Sequence, residues 1–213
     1  MKNLILILSL SFSAMVTAQS TFENAMTQKL SKLETAQTPE ALTALSNDFA
    51  RIADKEKTEW LPYYYSAYAT IEKGRLLMRS GKTGELDTIT NEAQKSLDTA
   101  AQLSPNNAEL YILQKMIHGL RMMVDPQTRF MSEAKLGADA LAKAEQLDPE
   151  NPRISLLKAE DIYYTPEQFG GSKAKGLELF QRSADQFKTY QPKTNLYPNW
   201  GKGETEYFLV NKP

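Results

Sequence analysis

The 213-residue sequence predicts an all-α protein, built from antiparallel helical hairpins stacked in a right-handed array. Three observations carry that prediction. No stretch shows the period-2 alternation of a half-buried strand. Helix start and stop signals recur along the whole chain. One helix pattern, together with its closing turn, appears more than once.

The opening segment, MKNLILILSLSFSAMVTAQS, reads as a targeting signal rather than as part of the fold. Lys2 supplies the positive start, Leu4 to Met15 is apolar, and Val16-Thr17-Ala18 offers the small residues that a signal peptidase reads. Residues 1–18 are therefore expected to be a signal peptide, and 19–213 a single helical-repeat domain. The apolar run is shorter than the ~20 residues that a bilayer span needs. An exported chain soluble in the periplasm or outside the cell is the expectation, with no stable membrane anchor. Cysteine is absent, so stability must come from burial rather than from disulfides.

Each helix has its own justification. Ser20 with Glu23 forms a capping box, and Phe22, Met26, Leu30 and Leu33 then share a face. Thr38-Pro39-Glu40 gives an N-cap, a proline in the first turn and an acid for the helix dipole, before the apolar face Leu42, Leu45, Phe49 and Ile52. A third helix runs from Trp60 to about Ser80, where Gly81 stops it, and a fourth from about Glu85 to Leu103. Further helices are expected over 108–123, 132–147, 153–164, 172–189 and 203–210. Paired in order, they give hairpins at about 20–54, 60–104, 108–147 and 153–190, followed by a terminal helix. Short loops make consecutive helices antiparallel neighbours.

The repeat is visible residue by residue. Ala93, Leu97, Ala100 and Leu103 precede Ser104-Pro105-Asn106-Asn107. Gly137, Leu141, Ala144 and Leu147 precede Asp148-Pro149-Glu150-Asn151 in the same spacing. Gly176, Phe180 and Ser183 repeat the small-large-small part. Small residues admit a neighbouring backbone, the large one fills the gap between them, and the proline turns the chain.

This small-large-small spacing before a proline resembles the second helix of the tetratricopeptide (TPR) family. The first helices match less closely: Lys115 takes the small position of one unit, and the units lie 44 residues apart (Pro105 to Pro149) against the family's ~34. With TEWLPYYYSAY, TPEQFGG and PNWG, the chain is also similar to small exported TPR proteins of Bacteroidota. The resemblance implies a right-handed solenoid whose concave groove holds a protein or peptide partner. In that register Glu109, Ile112, Met116, Arg153, Glu160 and Tyr163 would face the groove.

The residues also bound the chemistry. The sequence has 25 basic and 26 acidic residues, interspersed, which gives no basic face for nucleic acid. A single histidine, His118, and no cysteine exclude multi-histidine and thiolate metal sites, and His118 lies mid-helix, away from any nucleophile context. Ser80-Gly81-Lys82-Thr83 lacks the earlier glycine and the preceding strand of a phosphate loop. Gly170-Gly171-Ser172-Lys173 lacks them as well, and reads as a lengthened turn with Ser172 capping the next helix. Met116, Met122, Met123 and Met131 read as core filling around one hairpin. No catalytic residue, metal or cofactor is expected, and the chain is read as a non-enzyme. The alternative to a protein-binding groove is a small-molecule component of a transport system, with Tyr64 and Tyr68 of the Trp60–Tyr68 aromatic cluster as its site.

Overall fold

A computed structural model describes residues 21–213 of the chain. The expected signal peptide and the capping residue Ser20 lie outside the described residues. Every regular element among the described residues is helical. In order they are α1 (residues 21–33), α2 (Pro39–Lys55), α3 (Trp60–Arg79), α4 (Leu86–Leu103), α5 (Ala108–Met122), α6 (Pro126–Leu147), α7 (Pro152–Tyr164), α8 (Lys173–Thr189) and α9 (Lys202–Asn211).

The termini are built by the expected chemistry. Thr38, Asn107, Asn151 and Ser172 each accept a backbone N–H from the first turn of the helix they precede. Gly81 sits at φ +76° beyond α3, where its N–H bonds to Met78 and that of Lys82 to Leu77. That paired closure suits a residue without a Cβ. One boundary differs from the sequence reading. Residues 125–129, expected as an insertion before a helix at 132, form the first turn of α6. Asp125 caps it, accepting from the Thr128 N–H, and Pro126 occupies the first turn, the same device as Thr38-Pro39.

Helices adjacent in sequence pack on one another from α2 through α6 and again from α7 through α9, whereas α6 and α7 touch little. The repeat positions explain the close approaches. Ala93, Ala100, Ala144 and Ser183 are fully buried, with Leu97, Leu141 and Phe180 filling the space between them. A Cβ on Gly176 would lie 2.8 Å from Tyr163 Cβ, so α8 approaches α7 only because that position carries no side chain.

Two apolar cores result. The larger runs from Phe22 and Met26 through α2–α6 to Ile154 and Leu157, and includes Leu196. The smaller joins Leu156, Ala159, Tyr163, Phe180 and Phe208, with Phe180 stacked on Phe208 at 4.2 Å. Trp200 packs against both. The segment from Tyr190 to α9 thus folds back over the first half of the chain, and this return creates the site.

Candidate functional site

Two helix starts place the central ion pair. Glu109 stands two residues after the cap Asn107, and Arg153 two residues after the cap Asn151. The repeat therefore carries opposite charges at equivalent positions, and the fold turns them toward each other with both side chains fully buried. Arg153 Nε donates to Glu109 Oε2 at 3.1 Å and Nη2 donates to Oε1. Asn151 Nδ2 also donates to Glu109 Oε1, and Tyr64 Oη to Oε2. Four donors around one carboxylate offset the cost of burying it.

Aromatic rings surround this pair. The Arg153 guanidinium lies 4.8 Å from the Tyr190 ring centroid and 5.6 Å from that of Trp200. Trp200 stacks on Tyr68 at 4.8 Å with an 18° interplanar angle, and its indole N–H donates to Tyr64 Oη at 2.7 Å. Trp60 sets its edge against both Tyr64 and Tyr197. The return segment is tied down further by Tyr65 Oη donating to the Leu196 carbonyl and Tyr190 Oη to that of Pro198. Burial pushes the Tyr64, Tyr65 and Tyr68 phenols well up, so they remain neutral hydrogen-bonding rings.

Among the described residues, two buried side-chain donors have no partner: Arg153 Nη1 and Gln186 Nε2. Gln186 Oε1 is occupied by the Ser155 hydroxyl, so the amide is anchored while its N–H2 is left over. Gln186 also lines a cleft of about 270 Å³ between the α6–α7 turn and the end of α8. Tyr190 and Tyr197 form apolar walls there, Lys193 reaches over the Tyr197 ring at 5.1 Å, and Asp148 and Glu150 stand at the rim. The cleft is the open edge of the aromatic network, since Tyr190 contacts Arg153 and Tyr197 contacts Trp60.

The residues singled out in the sequence fall into three groups. Glu109, Arg153 and Tyr64 meet, and Tyr68 joins them through Trp200, so the groove and the aromatic cluster are one place. Ile112 and Met116 lie in the larger core, and Tyr163 in the smaller one, with Lys173 5.1 Å from its ring. Glu160 belongs to a separate charged cluster around Arg75. Glu109, Ile112, Met116, Arg153 and Tyr163 are enclosed rather than open to solvent, packed within the two cores or against the return segment. His118 is also enclosed, with Nδ1 on Glu133 and Nε2 on Gln114. Sequence reasoning missed Trp200, Tyr190, Tyr197, Gln186 and Arg75. The signal within reach was Trp200 between Pro198 and Gly201, a large ring in an otherwise polar stretch without helical period.

No protein-family model and no curated protein matches the chain, so the TPR register gains no support from a family match. Among solved structures, the chain is similar to the HusA haemophore from Porphyromonas gingivalis, a species of the Bacteroidota. The two are 30% identical with a TM-score of 0.78, over 89% of this chain and 91% of the other. At that identity and coverage, the chain belongs to the family of the HusA haemophore.

Proposed function

We propose that this protein is an exported binding protein for a flat, carboxylate-bearing aromatic ligand of the haem type, held on the face formed by Tyr68, Trp200, Tyr190 and Arg153. The observation that carries the reading is the parallel Tyr68–Trp200 pair beside a fully buried arginine with an unused Nη1. A porphyrin presents a wide π-face and acidic edges, and this site offers rings for the one and cationic or amide donors for the other. The ligand enters at the cleft, its carboxylates meeting Lys193 and Gln186 Nε2. Its plane advances by parting Trp200 from Tyr68, which uncovers Arg153 Nη1. The cleft alone, at about 270 Å³, falls below the ~300–1,000 Å³ of typical small-molecule sites, so parting the two rings is required.

Family membership supports the choice of ligand, since the related structure is that of a haemophore. Both nitrogens of His118 are engaged, so ligating iron there would break the hydrogen bond to Gln114 or the one to Glu133. On this reading the ligand is held by stacking and ion pairing, and the protein acts as a carrier. Titrating the protein with haem and with metal-free protoporphyrin, followed by porphyrin absorbance, tests this. Both are expected to saturate with similar affinity, and Tyr68→Leu to weaken both about 3- to 10-fold through the lost ring contact. Absence of saturable binding, or an unchanged affinity in Tyr68→Leu, contradicts the reading.

A second reading keeps the TPR-like right-handed solenoid and a protein partner. It draws on a different surface, where Met131 is 79% and Phe169 65% exposed and Phe130 lies 6.2 Å from Phe169.

A further inference from the structure

A group of charges that the ligand site does not use joins the return segment to α3. Arg75 of α3 receives three carboxylates: Glu204 of α9 at 2.6 and 3.2 Å, Glu160 of α7 at 2.8 Å and Glu72 of its own helix at 3.2 Å. Glu160 and Glu204 converge on the same Arg75 Nη2, at 2.8 and 2.6 Å, so carboxyls from two different helices crowd one cation. Side chains of α3, α7 and α9 are thus joined at one guanidinium, about two helix turns along α3 from Tyr68 of the Tyr68–Trp200 stack.

We propose that residues 190–211 are a strap over the aromatic face, latched in a proton-dependent way by the Arg75–Glu160–Glu204 clasp, where three carboxylates meet one arginine. The inference rests on the ligand site described above and adds its regulation: rising pH opens the face and falling pH closes it.

The surroundings set the direction. Facing the carboxyl pair are Tyr68, Glu72, Arg75 and Arg79 from α3, Lys115 from α5 and Tyr164 from α7. Lys115 is already paired with Asp161, so Arg75 is the main cation for three acids. Burial pushes Glu160 up to about 8, with Arg75 opposing and the Glu204 charge adding to the rise. Burial also works to raise Glu204, but Arg75 overcomes it and holds that carboxyl below its ordinary range. A raised carboxyl stabilises the docked state fully below its ordinary value of 4.5, and that stabilisation is lost as pH climbs through about 8. The depressed Glu204 works in the opposite sense and matters only in acid. Above the upper limit, two anions and Glu72 surround one arginine and push α9 away from α3.

The test uses Trp200 as a reporter. The chain has two tryptophans, so Trp60→Phe leaves Trp200 alone. Acrylamide quenching of its fluorescence is measured from about pH 6 to about pH 9.5 without ligand. The expected result is at least about a twofold rise in quenching through the clasp's titration, reporting local opening. Glu160→Gln in the same background keeps an acceptor for Arg75 without a titrating proton, and is expected to abolish the rise. Glu204→Gln, which also removes the carboxyl pair, is expected to do the same, and circular dichroism checks that each variant folds. A flat profile in the Trp60→Phe protein, or an undiminished rise in both folded variants, overturns the proposal. A rise without porphyrin binding retains the strap and removes the ligand; porphyrin binding without a rise does the reverse.

Discussion

Glu109 and Arg153 are the residues on which the site is built. A buried pair of this kind is costly to break on one side, because the survivor stays desolvated without its partner. Arg153→Met is expected to destabilise the fold by about 3–5 kcal/mol in urea unfolding. The double change Glu109→Leu with Arg153→Met should recover a large part of that loss. A double loss equal to the sum of the losses of Glu109→Leu and Arg153→Met would show that the pair does not act as a unit. Both residues were legible as candidates in the sequence, since they sit at matching places in two repeats. Their pairing was not, because position in a repeat gives the direction of a side chain only once the stacking is known. Glu160 shows the same gap: its register was visible, but Arg75 lies 85 residues before it and Glu204 comes from the last helix.

At the level of elements, local signals placed α2–α5 and α7–α9 closely, because caps, prolines and glycines act within a few residues. The start of α6 was misplaced although Asp125-Pro126 repeats the Thr38-Pro39 device, since the following turn lacks a clear apolar stripe. The return segment was the least legible part. Residues 190–201 have no period to read, and their structure depends on the surface they cover. Gly201 marks how closely they do so. It stands at φ +100°, and a Cβ there would lie 2.8 Å from Leu156 Cδ2 and 3.3 Å from Phe187. Gly201→Ala therefore meets both backbone strain and a clash, and is expected to cost more than ~1 kcal/mol in thermal unfolding. It should also loosen Trp200 from Tyr68, seen as faster hydrogen exchange in residues 195–205. A stable Gly201→Ala protein with unchanged exchange would mean that the segment is held elsewhere.

For the whole molecule, an all-α chain was readable from periodicity and from the helix start and stop signals, and no described helix is long and apolar enough to cross a membrane. The repeats alone imply an open concave face. In this protein the C-terminal return segment packs on α3, with Trp200 stacked on Tyr68 and the Leu196 carbonyl held by Tyr65, and encloses the aromatic cluster. Two cores bridged by Trp200 and by the Arg75 clasp are the physical basis for that closure. The proton-linked strap and the ligand site are separate claims, and the second is the central one. Hydrogen exchange by mass spectrometry on the wild-type protein, with and without saturating haem, tests it most directly. Protection of Trp60–Arg79 and of residues 186–201 is the predicted result. Protection confined to the surface around Met131 and Phe169, or no protection anywhere, would contradict the account.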